Sequence, residues 1–221
     1  ASYSGDISSE FGAVSVVFTG DVIEIRGDLL VLSDDTTSIW IVSQNGALVA
    51  GELGSETRRL ANAVIGAVAG WVDLGNGSAW IAGDLAIQGN LMVTGEYAAT
   101  ASAGAQITGN LAGGSFALHS NGVVLLDGLT TLVELQVVAE LLKLATGSHT
   151  ISQGLSITGD VEFGVAATVS AAQIAIDGNV LAAVGGLDLN FQATAGDLVV
   201  AGTLGAGTPF RSLVITNARN A

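Results

Sequence analysis

The sequence predicts an all-β fold, a parallel β-solenoid in which the chain coils repeatedly around one narrow core. The first observation is a recurring phrase: an apolar residue, any residue, Gly, Asp or Asn, and a second apolar residue. The second is that apolar residues between the phrases alternate with a period of two, as in strands that bury one face. The third is composition, because Gly supplies 31 of the 221 residues and Pro only one. Such repeats indicate an array that acts through its shape and surface.

Each phrase supplies the chemistry of a tight corner. Gly adopts a positive φ without steric cost, and Asp or Asn tolerates the same conformation and binds nearby backbone groups. The phrase turns after two or three residues, which predicts a corner in a coil rather than the reversal of a long hairpin. The copies begin at Phe18, Ile25, Ile81, Ile87, Ile107, Ile157 and Ile176, with a looser copy at Thr194.

The repeats divide the chain into two parts of one continuous domain. Residues 81–221 are predicted to form regular solenoid coils of about 20 residues each. Residues 1–80 are less periodic and are predicted to be an irregular N-terminal β part or a cap of the solenoid. Within it, residues 55–69 are compatible with one short helix, because Ser55 can act as an N-cap and apolar residues follow at helical spacing. Between residues 129 and 147, alternating apolar residues favour strands over a helix.

Composition restricts the partners of this chain. Twenty acidic residues against six basic ones give a net charge of -14, so neither nucleic acid binding nor membrane insertion is expected. The longest apolar run, residues 60–72, is too short to span a bilayer. The absence of Cys excludes disulfides and thiolate metal sites. Aromatic residues make up only 5% of the chain, which indicates a narrow core of Ala, Val, Leu and Ile.

The C-terminal stretch carries a family resemblance. Residues 205–216 combine a Gly-rich turn, Thr-Pro and the strand Ser-Leu-Val-Ile-Thr. Together with the units from residue 81 onward, this stretch resembles the repeats of filamentous-haemagglutinin-like exoproteins and autotransporter-like adhesins of bacteria. The resemblance implies a right-handed parallel β-solenoid, an extracellular or cell-surface location, and a role in adhesion or cell-surface structure. It implies no active site.

These features predict a structural function, as a subunit of a secreted or cell-surface fibre or adhesin. The strand formed by Leu213, Val214, Ile215 and Thr216 has little sequence after it that could cover it. We therefore expect an assembly edge, at which the last coil of one copy pairs with the first coil of the next to give a filament. No enzymatic activity is expected.

Two other functions remain open at this point. One is a carbohydrate-binding or carbohydrate-cleaving β-helix module, with a surface polysaccharide as its partner. The other is a passive spacer within a longer exoprotein. A groove lined by Trp and paired Asp residues would favour the first alternative.

Two further motifs are candidates for recognition. Arg26-Gly27-Asp28 is the tripeptide read by integrin-type host receptors, although it lies inside one copy of the phrase, where Gly and Asp already have a structural role. The sequence offers calcium as a candidate cofactor, because the ligands of calcium are oxygen atoms such as those of carboxylates. The candidate ligands are Asp34, Asp35, Asp160 and Asp177. The structural alternative is that such side chains cap their own turns.

Histidine and tryptophan give weaker signals. His119 and His149 are far apart in the sequence and have no obvious partners, which favours solvated side chains over a zinc site or a catalytic pair. Trp40, Trp71 and Trp80 could form a sugar-stacking platform, but packing in the core or in a cap is the favoured interpretation.

Overall fold

The computed structural model describes residues 2–5, 7–9, 15–31, 36–216 and 219. These residues form nineteen β-strands and no helix. The strands are β1 Ser2–Ser4, β2 Ile7–Ser9, β3 Ser15–Arg26, β4 Leu29–Val31, β5 Ser38–Leu53, β6 Asn62–Ile81, β7 Asp84–Ala101, β8 Gly104–Thr108, β9 Leu111–Ser120, β10 Val123–Asp127, β11 Thr130–Leu144, β12 Ser148–Ile151, β13 Gly154–Phe163, β14 Ala167–Ala171, β15 Gln173–Asp177, β16 Val180–Ala182, β17 Asp188–Ala193, β18 Leu198–Val200 and β19 Ser212–Thr216.

The strands stack as the coils of a parallel β-solenoid of about ten turns, which confirms the predicted fold class. All pairings between these strands are parallel. Most of one turn is seen in β7, which continues around two corners. Its residues 84–88 pair with β8, and its residues 91–101 pair with β9. The coil therefore has three faces joined by three corners.

We name the faces by the residues of β7 that lie on them. Face A contains residues 84–88, face B residues 91–93 and face C residues 96–101. Parallel pairing carries each face along the solenoid. Face B begins with β1 and ends with β19, whereas face C begins with β2 and ends with β18. Face A runs from β3 to β16.

Side chains one coil apart stand above one another in columns. On face A, Ile87, Ile107 and Leu126 occupy one inward-facing column, and each is almost fully buried. Because parallel strands in register place equivalent positions together, one apolar residue per coil builds a continuous ladder of aliphatic contacts. The alternation in the sequence thus becomes the core of the solenoid.

The core also holds aromatic side chains, which the composition did not indicate. Phe163 and Phe191 pack edge to face, with their ring centroids 6.3 Å apart. Tyr97 follows Gly51 and Gly77 in one column of face C, where the glycines let the backbones of successive coils approach closely. Its hydroxyl is buried with no hydrogen-bond partner in the described part of the chain. Burial raises the pKa of Tyr97 above its ordinary value.

Asp and Asn side chains at the corners bind the backbone of the following coil. At the corner between faces A and B, Asn90 Oδ1 accepts a hydrogen bond from the backbone N–H of Asn110 at 3.0 Å, and Asn110 Oδ1 accepts one from Leu129 at 3.0 Å. Each such bond spans 19 to 24 residues, and the other acceptors are Asp28, Asn62, Asn76, Asp160 and Asn179. The expectation that these side chains cap their own turns is wrong, because each donor lies one coil away.

Glycines stack at the same corners and let successive coils approach closely. Gly109 lies directly after Gly89 in the stack and has a φ of 122°, which L-residues rarely adopt. A Cβ at Gly109 would lie 2.6 Å from the carbonyl carbon of Gly89. At the corner between faces C and A, a Cβ on Gly178 would collide with the carbonyl oxygen of Gly159. The phrase therefore needs Gly for contact between coils as well as for the turn.

The predicted helix at residues 55–69 is wrong. A tight turn in this segment is followed by β6, which begins at Asn62. Ala63 and Ile65 are buried whereas Val64 between them is only partly so, and burial thus follows a period of two. The backbone of β6 pairs with β5 on one side and β7 on the other, and these bonds replace the local bonds of a helix.

The ladder crosses the predicted boundary between residues 80 and 81 without a break. β6 extends to Ile81 and pairs with β7 as far as that residue. The strands of this region are long because they continue around corners. Farther along the chain, β11 confirms the prediction of strands between residues 129 and 147.

We expect Gly178→Ala to lower the free energy of unfolding by about 1–3 kcal/mol, because the new methyl group overpacks the contact with the preceding coil. Gly154→Ala is the matched control, since its Cβ would meet only Glu134 Oε1 at 3.9 Å. Urea denaturation followed by circular dichroism measures both variants. Equal midpoints would show that close approach at this corner is dispensable.

Asn110→Ala removes the acceptor for the N–H of Leu129 and should cost about 0.5–1.5 kcal/mol. Asn110→Asp keeps an oxygen at the same position and should retain most of the stability. Hydrogen exchange of the Leu129 amide should accelerate in the alanine variant alone. An unchanged exchange rate in that variant would count against the role of the side chain.

Candidate functional site

The C-terminal end of the solenoid is an open strand edge. β19 pairs with β17 along one side, and in the described ranges no strand pairs with its other side. The free side of such a strand presents N–H and C=O groups that can add a further parallel strand. Leu213, Val214, Ile215 and Thr216, predicted to form the assembly edge, make up most of β19.

The apolar core is only partly covered at this end. Ile215 stands above Phe191 in register, yet Ile215 is 39% exposed whereas Phe191 is 1% exposed. Leu213 stands above Leu189 and is only partly buried. Val214 points outward and is 44% exposed. Within the described ranges, the last coil therefore combines backbone groups that have no strand partner with apolar side chains that a further coil would cover.

The two ends of the solenoid present strands on the same faces. β1 and β19 are the first and last strands of face B, and β2 and β18 are those of face C. All of them run in the same direction around the coil. A second copy stacked end to end in the same orientation would continue both faces as parallel sheets.

Charge is distributed unevenly between the two ends of the sequence. The first 35 residues contain seven Asp or Glu residues and one Arg, whereas residues 198–221 contain two Arg and no acidic residue. Arg211 also ties the last coil to the preceding one, because its Nε donates to Asp188 Oδ1 at 2.8 Å. The C-terminal end is thus the region where a second acidic copy meets the least repulsion.

The Arg26-Gly27-Asp28 tripeptide forms part of the corner between faces B and C. Asp28 Oδ1 accepts a hydrogen bond from the backbone N–H of Glu52 at 2.8 Å, and Gly27 N donates to the next coil at 2.9 Å. Arg26 is exposed and lies 3.6 Å from a Glu24 carboxylate oxygen. Two of the three residues therefore have a structural role, and receptor binding stays a prediction.

Of the four acidic residues predicted as calcium ligands, Asp160 and Asp177 lie within the described ranges. Asp34 and Asp35 fall outside those ranges. Asp160 Oδ1 accepts hydrogen bonds from the backbone and side-chain nitrogens of Asn179 at 2.8 and 3.0 Å, and Asp177 is exposed on the adjacent coil. Among the described residues, no group of three or more His, Asp or Glu side chains could hold a metal ion.

His149 lies inside the solenoid, contrary to the expectation of a solvated side chain. It is 3% exposed and stands next to Thr130 in an inward-facing column of face B. Its Nε2 is 2.9 Å from the carbonyl oxygen of Thr146, which can only accept, so Nε2 carries the proton. Nδ1 then accepts from the Thr130 hydroxyl at 3.1 Å. His119 is exposed, as expected.

Burial makes His149 a neutral side chain in the folded state. Desolvation lowers the pKa of His149, and the hydrogen bond to the Thr146 carbonyl opposes this effect. The alternation of His149 with Ile151 was the sequence signal for an inward position, because residues two apart in a strand share a face. The short length of β12 weakened that signal.

The three tryptophans lie at different places on the surface. Trp40 is on the outer side of face A, Trp71 lies at the corner between faces A and B, and Trp80 is on face C. Trp40 is 42% exposed and Trp71 is 40% exposed, so the interpretation that they pack in a core or cap is wrong for these two. A single platform of all three rings is not formed.

A shallow groove of about 390 Å³ lies on face C. Its lining includes Ala98, Ala117, Glu96 and Glu134. Glu96 and Glu134 pair with the same residue, Ser115, from opposite sides, so two strand spacings of about 4.8 Å each separate their backbones. Both glutamates are exposed.

Comparisons with known proteins do not assign a family. No protein-family model, curated protein or solved structure significantly matches the chain. The described residues include no helix long and apolar enough to cross a membrane. The resemblance to secreted bacterial repeat proteins therefore stays a prediction.

Acid should destabilise the fold through His149. Its folded-state pKa lies below the unfolded value of about 6.5, so the unfolded chain binds the proton first. Stability should fall as the pH drops below about 6.5, by at most about 1.4 kcal/mol per pH unit. The urea midpoint should depend less on pH in His149→Gln than in the wild type, whereas His119→Gln should behave like the wild type. Identical pH dependence in all three proteins would contradict a buried neutral His149.

Proposed function

We propose that this protein is a structural subunit of a secreted or cell-surface fibre or adhesin, a stiff β-solenoid rod that assembles head to tail. The observation that carries the proposal is the C-terminal edge, where no described strand pairs with the outer side of β19 and where Ile215, which stands above the core residue Phe191, is 39% exposed. An exposed edge strand of this kind can pair with a strand of another chain, which buries its backbone groups and the apolar side chains beside it.

The coils themselves support a mechanical role. Backbone bonds, aliphatic columns and corner bonds all connect each coil to the next, as between Asn90, Asn110 and Leu129. A solenoid of this kind is quasi-one-dimensional, so its length grows with each added coil while its cross-section stays constant. Addition of a second copy at the open edge would extend the same pattern.

The ends of the rod support a polar, head-to-tail arrangement. A contact between unlike ends is heterologous and does not close, so it generates a filament rather than a dimer. The strands of faces B and C that terminate the two ends have matching direction and position. The contrast between the acidic first 35 residues and residues 198–221 favours the same arrangement.

The proposed location rests on sequence. The absence of Cys is compatible with secretion, and the net charge of -14 favours a solvated surface. The resemblance of residues 81–218 to secreted repeat proteins supports the same compartment. Host receptors and surface polysaccharides are the partners that such a fibre would meet.

Ile215→Lys should block assembly, because it places a charge on the exposed end of the core. Wild-type protein should form concentration-dependent rods and filaments, seen by negative-stain electron microscopy and by sedimentation velocity. The matched control is Val68→Lys, which adds the same charge at a 72% exposed position away from either end of the solenoid. That variant should assemble like the wild type.

A passive spacer and a fibre subunit differ in the oligomeric state that we expect for the isolated protein. If the wild type remains monomeric at all accessible concentrations, the assembly proposal is wrong and the spacer alternative is favoured. If Ile215→Lys and Val68→Lys both assemble normally, the C-terminal edge is not the contact.

A further inference from the structure

The residue pair Asn-Gly occurs three times in the chain, at residues 45–46, 76–77 and 121–122. In such a pair, the backbone nitrogen of Gly can attack the side-chain carbonyl carbon of Asn, because Gly has no Cβ to hinder the approach and its backbone is permissive. The reaction converts Asn to Asp or isoaspartate in water, without an enzyme. The structure around each pair determines whether the nitrogen can reach the carbon.

Two of the three pairs lie inside strands. Asn45 and Gly46 belong to β5, and Gly46 pairs with the preceding coil. Asn76 and Gly77 belong to β6, and Gly77 pairs with both neighbouring coils. The extended backbone of a strand directs the next peptide group away from the side chain. Attack at these two pairs therefore requires local release of the backbone from the ladder.

The side chains of these two asparagines are also bonded to another coil. Asn45 Nδ2 donates a hydrogen bond to Asp21 Oδ1 at 2.5 Å. Asn76 Oδ1 accepts one from the backbone N–H of Glu96 at 2.9 Å. The side chain of each asparagine must leave this bond before its carbonyl carbon can turn towards the following nitrogen, which adds to the barrier.

The third pair lies outside the strands and lacks these restraints. Asn121 and Gly122 form the corner between β9 and β10. Asn121 is exposed, and its side chain forms no hydrogen bond within the described part of the chain. The backbone N–H of Gly122 donates to Ser120 Oγ at 3.2 Å, which is a local bond to a rotatable hydroxyl. Attack by this nitrogen therefore breaks no bond between its N–H and another coil.

We propose that Asn121 is a site of spontaneous deamidation and that the fold protects Asn45 and Asn76 from the same reaction. The nitrogen of Gly122 loses its proton to hydroxide and forms a bond to Asn121 Cγ. The bond between Cγ and Nδ2 then breaks, and ammonia leaves. Water opens the resulting five-membered succinimide ring at either of its two carbonyl groups, which gives aspartate or isoaspartate. Water and hydroxide are the only other reactants.

The isoaspartate product would alter the corner. In isoaspartate the main chain passes through the side-chain carbon atoms and is longer by one CH₂ group. Gly122 packs so closely against the carbonyl oxygen of Ala103 that an added Cβ would collide with it. The carbonyl of Gly122 accepts a hydrogen bond from the backbone N–H of Glu140 at 3.2 Å. A longer main chain displaces both contacts, and the product places a new negative charge near Glu140. This reaction is independent of head-to-tail assembly.

The test is peptide mapping of the folded wild type after incubation in mildly alkaline buffer. Digestion with pepsin in acid followed by mass spectrometry measures deamidation at each asparagine. Asn121 should react at least about tenfold faster than Asn45 and Asn76, which corresponds to a difference of about 1.4 kcal/mol in barrier height. In urea-unfolded protein the three rates should converge, because the structure no longer distinguishes the pairs.

Asn121→Gln is the matched variant, since the longer side chain forms the cyclic intermediate far more slowly. Amide hydrogen exchange in β10 should accelerate in aged wild-type protein and stay constant in aged Asn121→Gln. Similar rates at the three pairs in the folded protein would overturn the proposal, as would a faster reaction at Asn45 or Asn76. Deamidation of Asn121 with unchanged exchange in β10 would contradict the inferred disturbance of the corner.

Discussion

The coil-to-coil contact at the corners is the constraint on which the rest of the structure depends. A parallel ladder can turn a corner only if the backbone groups there find partners in the next coil. Asn90 and Asn110 supply acceptors for those groups, and Gly109 lets the two backbones approach. Once three corners repeat in register, every inward position becomes part of a column, and the aliphatic core follows from alternation alone.

The same stacking admits a few residues that do not belong to an aliphatic ladder. Tyr97 is buried on face C, and His149 is held neutral between Thr130 and Thr146. The alternation with Ile151 indicated the inward position of His149, but the hydrogen-bond partners of its ring became known only from the structure. The solenoid therefore tolerates a polar ring inside when neighbouring residues supply its partners.

The two ends of a stacked array lack the neighbouring coil that covers every internal coil. Each coil inside the solenoid is covered on both sides, whereas β19 is covered on one side in the described structure. The exposed part of Ile215 is a direct result. The flanks of the rod differ from its ends, because their outward side chains take no part in the ladder of backbone hydrogen bonds.

The sequence by itself determined the corners and hence the fold class, because Gly-Asp and Gly-Asn act through local backbone conformation. It also predicted a strand at residues 212–216, which the structure contains. Only the tertiary structure showed which residues stand above one another in each column. The register pairs residues about 20 positions apart in the sequence, and no local sequence pattern specifies that register. For that reason residues 55–69 were predicted as a helix, His149 as solvated, and Trp40 as buried. In the structure, the pairing of each segment with its neighbouring coils determines the strand conformation of residues 62–69 and the direction in which His149 and Trp40 point.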